Sequence, residues 1–494
     1  MHTFRAPLNS CTKPPDRQLD SECKFKYMAS LQFHGNIDAD TRYDATLDPA
    51  REPELFRLLM GLQLAMGMKP SPRLPSWWPT WLRPVGGLMA KAYCSMVIFT
   101  SLHLGLLFTK TTLDVLPTGE LQAITDALTM TIIYFFTAFA NIYWCVRSQR
   151  LLAFMDHINR EYRHHSLAGV TFVSSHAAYR WSRSFTATWI LSCLVGVITW
   201  GVSPLMLGIR TLPLTCWYPF DALSPGTYTA VYATQLFGQI SVGVTFGFGG
   251  SLFVTLCLLL LAQFDVLYCS LKNLDAHSKL LSGETIGGLG LLQRELLQGA
   301  FTRELNQYAV LQEHATDLLR ISAESQNLAQ VKVFHSALVE CVRLHRFILY
   351  CCAELENLFS PYCLVKSMQI TLQLCLLVFV GVSGTREFLR IVNQIQYLAL
   401  TLFELLMFTY CGELLSRHSV RSGEAFWRGG WWKHAHLLRQ DVLIFLVNSR
   451  RAVYVTAGKF YVMDVNRLRS VITQAFSFLT LLQKLAAKKA ITEA

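Results

Sequence analysis

Between Asp221 and Asp265 the chain runs forty-three residues without an Asp, Glu, Lys or Arg. A helix needs only about 20 apolar residues to cross the hydrocarbon of a bilayer. The run carries Gly238, Gly243, Gly247, Gly249 and Gly250, and small residues suit close helix packing in lipid, where packing rather than exclusion from water drives association. The rest of the chain agrees: 52% of residues are hydrophobic and 16% charged, against about 25% charged in an average soluble domain. The sequence reads as an all-α integral membrane protein.

Six further stretches read as spans: Leu88–Thr109, Leu121–Val146, Phe185–Gly208, Asn357–Val382, Ile391–Gly412 and Tyr461–Lys484, with the uncharged run inserted as the fourth of seven. The last is the weakest by hydropathy, because Asp464, Arg467 and Arg469 occupy its first half. A long helix that starts in water and finishes in the bilayer is expected there. Basic residues orient the set, since cytoplasmic loops carry an excess of Lys and Arg. Arg147, Arg150, Arg160 and Arg163 follow span two, and Arg417, Arg421, Arg428 and Lys433 follow span six, whereas the alternate loops hold only Lys110, Arg210, Arg386 and Arg390. The N-terminus is thus expected in the cytoplasm and, with seven spans, the C-terminus outside. That is the reverse of a G-protein-coupled receptor.

The organisation follows. Residues 1–53 form a polar N-terminal tail without the layout of a cleavable signal peptide, and Glu54–Met66 reads as a short amphipathic helix. Residues 54–264 hold spans one to four and 357–415 spans five and six. Residues 265–356 and 416–460 are cytoplasmic helical loops, and 461–494 hold span seven with a short external tail. The net charge of +11 is explained by the cytoplasmic loops, whose default partner is anionic lipid rather than nucleic acid. Of fourteen cysteines, Cys216 alone falls clearly in an external loop, so no disulfide framework is expected.

Catalytic signatures are missing: there is no HExxH, GxSxG or GxxxxGK[ST] motif. No cofactor is implied and the chain does not read as an enzyme. His157, His164 and His165, and separately His434 and His436, cluster in cytoplasmic segments, where they fit either a metal or proton-relay role or solvated loop positions. Ionisable residues within spans carry more weight because burying them is costly. Lys91 and Asp126 lie near span ends; Lys366 is deeper, with a stem long enough to snorkel to the interface; Glu404 lies near the middle of span six. Glu404 reads as a polar interhelical or cavity contact, or as a hydrogen-bonded structural acid. On span seven, Gln474, Ser477, Leu481 and Lys484 share a face, with Val471, Ala475, Phe478 and Leu482 turned away. Such a stripe either lines water around a symmetry axis or joins helices to one another.

Several segments are similar to a known family. Trp217-Tyr218-Pro219-Phe220-Asp221 resembles the external loop before span four of insect odorant receptors. Leu344-His345-Arg346-Phe347, followed by Leu358-Phe359-Ser360-Pro361, resembles the start of their span five, and Tyr410-Cys411-Gly412-Glu413-Leu414-Leu415 the end of their span six. Most specific is Thr456-Ala457-Gly458-Lys459-Phe460-Tyr461, then Ser477-Phe478-Leu479-Thr480-Leu481-Leu482. The resemblance extends from about Leu55 to Lys484, and the inverted seven-span topology matches it.

That resemblance implies a ligand-gated, non-selective cation channel in the plasma membrane: four subunits around one pore lined by span seven, their cytoplasmic helices joined in an anchor domain. A small volatile ligand would sit in an apolar pocket among spans two, three, four and six. Carried over position by position, the pocket would draw on Met130, Tyr134 and Phe135, on Cys193, Gly196 and Trp200, and on Gln396, Tyr397 and Leu400. Each of these fits simple packing between helices as well. Leu481 aligns with the hydrophobic gate, and Gln483 or Lys484 with the outer filter, where a neutral Gln is usual. Four Lys484 side chains around a cation pore would repel one another. Lys484 therefore turns outward, Gln483 takes the filter position, or the pore is shared with a different subunit. The loop between spans four and five lacks the expansion of the obligate co-receptor, so the chain resembles a tuning receptor, assembled as a homotetramer or as a heterotetramer with that co-receptor. The alternatives are a gustatory-type channel of the same superfamily, against which the Gly458-Lys459-Phe460-Tyr461 element weighs, and a secondary transporter, which would show inverted repeats that the two halves lack.

Overall fold

The computed structural model describes residues 56–68, 83–118, 120–163, 175–206, 211–272, 274, 278, 328–383, 388–428 and 435–493. His164, His165 and His434, and most of the loop between spans four and five, lie outside these residues; nothing of the His436 side chain is described. The described chain opens on α1 (Arg57–Ala65), which realises the expected short amphipathic helix. Gly67, at φ 63, ends it. Met68 N–H donates to Gln63 O at 2.9 Å and Gly67 N–H to Leu64 O at 3.1 Å, the paired bonds of a glycine-terminated helix.

Long helices follow: α2 (Arg83–Val115), α3 (Leu121–Glu161), α4 (Ser175–Met206), α5 (Tyr228–Lys272), α6 (Leu328–Ser383) and α7 (Phe388–Arg428). These six are long and apolar enough to cross a membrane. Then come α8 (Ala435–Ser449), strands β1 (Thr456–Ala457) and β2 (Tyr461–Val462), and α9 (Val465–Glu493), which covers the seventh span expected from sequence. Most helices exceed the bilayer. With 56 residues, α6 is roughly 80 Å long at 1.5 Å per residue. The divisions drawn at 264/265, 356/357 and 415/416 fall inside α5, α6 and α7, because apolar patterning ends at the lipid boundary while the helix continues into water.

Helix α5 is the hub, packing against α2, α3, α4, α6 and α7. Its glycines make room for α4: a Cβ on Gly247 would lie 3.1 Å from Ile190 Cγ1, and one on Gly250 2.9 Å from the Trp189 ring nitrogen. Beneath it lies an aromatic core from four helices. Phe253 of α5 stacks on Phe408 of α7 at 4.6 Å, and Trp144 of α3 meets Phe248 of α5 edge-on at 5.9 Å and Phe359 of α6 at 5.3 Å. Pro361 interrupts the α6 hydrogen-bond ladder. Arg147 Nη1 reaches the carbonyl of Asn357 this frees, at 3.4 Å, and Tyr143 Oη donates to Leu358 O at 2.5 Å.

Candidate functional site

The pocket residues expected from sequence fall into two groups. On the α4–α7 side they converge. Gly196 faces α7 closely enough that a Cβ there would sit 3.1 Å from Gln396 Nε2 and 3.7 Å from Leu400 Cδ1. Cys193, one turn away and buried, lies within electrostatic range of Tyr397, and Trp200 is half-buried on the same helix. On the other side Tyr134 is fully buried, stacked on Phe108 of α2 at 5.5 Å, with no hydrogen-bond partner for its hydroxyl among the described residues. Met130 is partly buried against the main core. Phe135 does not join either group: it packs on Gly105 of α2 and is 39% exposed. One helical step of about 100° turns its neighbour Phe136 inward instead, 5.2 Å from Phe246 of α5 and 5.9 Å from Tyr362 of α6.

Between α6 and α7 the membrane interior holds an ion pair. Lys366 Nζ lies 2.8 Å from Glu404 Oε2, with side chains 2% and 3% exposed. Lys366 therefore does not snorkel. Its ammonium is enclosed, 3.7 Å from the Phe246 ring centroid and 4.5 Å from that of Phe136, a cation–π arrangement that offsets part of the lost hydration. Gln369 donates to Gln373, and Gln373 to the Tyr397 hydroxyl, so a short polar chain runs beside the pair from α6 to α7. Sequence reading named Lys366 and Glu404 separately. Their opposite charge at similar depth was the signal that would have joined them.

The segment leading to α9 is a hairpin whose sequence is explained residue by residue. Gly458 at φ 61 and Lys459 at φ 67 make the two-residue turn, closed by Phe460 N–H to Ala457 O at 3.1 Å; both central residues at positive φ are what a type I′ hairpin demands. Helix α6 holds the hairpin. Glu356 accepts from Thr456 N–H at 2.7 Å, from the Thr456 hydroxyl, and from Lys459 Nζ at 2.9 Å. Ser360 O accepts from Gly458 N–H at 2.8 Å, and Ser367 Oγ meets Tyr461 Oη at 2.5 Å. The other side rests on α7 at Gly412, where a Cβ would collide with the Met463 carbonyl oxygen. The three sequence segments around Ser360, Gly412 and Gly458 thus meet in one place, at the root of the last span.

Helix α9 begins at Val465 rather than Tyr461, which belongs to β2. Asp464 caps it, accepting from Arg467 N–H at 2.8 Å through Oδ1, so one of the three charges that weakened this span by hydropathy is the helix's N-terminal cap. Val471, Ala475 and Leu479 are buried at i, i+4 and i+8. The first two pack with Ile370 and Leu374 of α6 and Leu405 of α7. Phe478, like Val471 and Ala475 turned from the polar stripe in the sequence reading, is 48% exposed, because the seam follows the i+4 ridge and leaves it on the flank. Gln474, Ser477, Leu481, Gln483 and Lys484 are all exposed. The Ser477 hydroxyl is spent on Thr473 O at 3.0 Å within the helix.

Gln235 of α5 binds the loop that precedes this helix and carries the Trp217–Asp221 segment. It donates to Leu214 O at 3.0 Å and Tyr218 Oη at 3.2 Å and accepts from Leu214 N–H at 3.1 Å. Burial here pushes the Cys216 thiol pKa up from its ordinary value, against the lowering effect of its bonds to Tyr218 and Gln235. Near the end of α3, His157 packs edge-on against Phe347 and Tyr350 of α6, at 5.4 and 5.2 Å, which is the surrounding of a packed side chain. Among the described residues no group of three metal-ligating side chains comes together.

Fold and site define a membrane protein of seven long helices, the last of which shows a polar face and hangs from the others by a hairpin. The sequence model of the 7tm Odorant receptor family matches residues 120–476. Odorant receptor 85e of Drosophila melanogaster is 81% identical over 466 residues, covering 94% of this chain and 100% of that protein. Odorant receptor 83a of Drosophila melanogaster is 37% identical over 394 residues, covering 79% and 86%. Among solved structures, the insect olfactory receptor OR5 from Machilis hrabei in complex with eugenol superposes with a TM-score of 0.65 over 87% of this chain and 98% of that one; at 10% identity the likeness is one of fold. This chain belongs to the seven-transmembrane odorant receptor family of insects. That is a family of receptors and not of enzymes.

Proposed function

We propose that this chain is the tuning subunit of an odorant-gated, non-selective cation channel of the plasma membrane, with its N-terminus in the cytoplasm. The observation that carries this reading is the division of α9: an apolar seam at Val471 and Ala475 against its own subunit, and a face of Gln474, Ser477, Leu481, Gln483 and Lys484 exposed beyond it. Polar and charged side chains facing lipid are costly. A central aqueous pathway shared with other subunits relieves that cost and places Leu481 as an apolar constriction in a polar face. Exposed Lys484 argues for a heterotetramer with a co-receptor, because four such charges around one cation pathway would repel one another.

The ligand would enter among α3, α4, α5 and α7, with Gly196, Gln396 and Leu400 as one wall and Tyr397 and Cys193 beside it. The family relationship, and the eugenol bound in the OR5 structure, favour a small organic ligand held mainly by apolar contact. On the cytoplasmic side α8 exposes Leu443 (52%), Ile444 (62%) and Val447 (59%), an apolar stripe suited to joining subunits in an anchor domain. The test is whole-cell current in a heterologous cell against a broad volatile panel, with the chain alone and with an insect co-receptor. Current only with the co-receptor is expected. Current from the chain alone would make it self-sufficient, and silence in both with protein at the surface would overturn the channel reading.

A further inference from the structure

We infer that the Lys366–Glu404 pair is a positioning device that sets the gating equilibrium, linking the ligand side of the subunit to the pore helix; this rests on the channel reading above. The pair occupies the wall on which α9 sits. On α6, Lys366 is followed at i+4 and i+8 by Ile370 and Leu374, and on α7 Glu404 directly precedes Leu405. Those three apolar residues are the ones that hold Val471 and Ala475. Ser367, next to Lys366, holds Tyr461 of the hairpin that suspends α9. The 2.8 Å contact therefore fixes the spacing of the two helices that cradle the last span.

The other side of the pair faces the ligand region. Its ammonium lies on Phe246 of α5 and Phe136 of α3, and Phe403 of α7, next to Glu404, meets the Trp189 ring of α4 at 5.3 Å. Any rearrangement of α4 against α7 is thus felt at the pair, and any change in the pair moves the cradle. Two buried charges interact strongly only in good geometry, and separating them leaves each uncompensated. Such an element takes one of two arrangements rather than a continuum, which is what coupling between distant sites requires. A direct role in ligand recognition is the competing reading, and it makes a different prediction.

The experiment records ligand-free current and dose–response curves for several chemically unrelated agonists, with surface protein quantified, for the chain co-expressed with co-receptor. The variants are K366Q, E404Q, the charge exchange K366E/E404K and the doubly neutral K366M/E404Q. The expected result for each single variant is a change in ligand-free current together with a shift of EC50 by one common factor for every agonist, about 5- to 150-fold, with the exchange returning both toward the parent. Where an unpaired charge keeps a single variant inside the cell, the doubly neutral variant carries no unpaired charge and is expected to show the same common shift. Agonist-specific shifts with unchanged ligand-free current would overturn the inference in favour of ligand contact. Parent-like gating in the doubly neutral variant at normal surface density would overturn it outright while leaving the channel reading intact. A parent chain that passes no current with co-receptor is instead the failure of the channel reading, and the inference falls with it.

Discussion

Helices α5 and α9 are opposites. In α5, 94% of the most apolar stretch is buried inside one subunit, and its glycines admit neighbours on several sides. Among the described side chains of α9 one seam is covered, and apolar Phe476, Phe478 and Leu481 are exposed together with the polar face. The first helix is finished by its own chain. The second leaves a face that its own chain does not cover, which the proposed channel completes with other subunits; on that reading the same lipid environment selects glycine and unbroken hydrophobicity in one and amphipathic patterning in the other.

That contrast can be broken at several points, and the largest effect is expected where a backbone leaves no room to yield. Gly412→Val would drive a side chain into the Met463 carbonyl, so the hairpin cannot dock; near-complete loss of surface protein is expected by cell-surface biotinylation, and normal surface levels with normal current would refute the docking role. Gly250→Leu in α5 meets the Trp189 side chain, which can shift somewhat, and overpacking of this kind costs about 1–3 kcal/mol. Surface protein should fall several-fold. Leu481→Ala on α9 touches no packed seam and should leave surface protein unchanged while raising ligand-free current; a silent, surface-expressed variant would remove Leu481 from the gate. Trp200→Ala should shift the response to some agonists more than others, and unchanged dose–response curves across the panel would take α4 out of the pocket. The smallest effect is chemical. With its thiol pKa raised by burial, Cys216 stays protonated at neutral pH and should react slowly with an impermeant maleimide, accelerating only as the pH rises; rapid labelling at pH 7 would show the loop to be open.

The six apolar spans were legible in the sequence because bilayer thickness converts directly into a length of uncharged helix. The root of α9 was legible in part: Thr456–Tyr461 stood out as a segment, but its partners Glu356, Ser360 and Gly412 lie on other helices, and no local pattern announces a contact between them. Helix periodicity grouped Val471, Ala475 and Phe478 on the side away from the polar stripe but could not say that only the first two are buried, since packing follows one ridge rather than half a cylinder. It could not separate Phe135 from Phe136, where one step decides between a flank and the interior. The pairing of Lys366 with Glu404 was legible only in part: opposite charge at similar depth pointed to it, but each charge alone admits snorkelling or a cavity, and only the tertiary fold brings them to 2.8 Å.

The most direct test of the difference between the two faces of α9 is cysteine accessibility during current recording with the co-receptor. A membrane-impermeant cationic thiol reagent is applied from outside to channels carrying Ser477→Cys or Leu481→Cys, and to channels carrying Val471→Cys or Ala475→Cys. Modification that alters current through the first two and spares the second two is the predicted result, measured against the unsubstituted chain as background. Equal modification of both pairs, or of the seam alone, would contradict the assignment of the exposed face to the ion pathway.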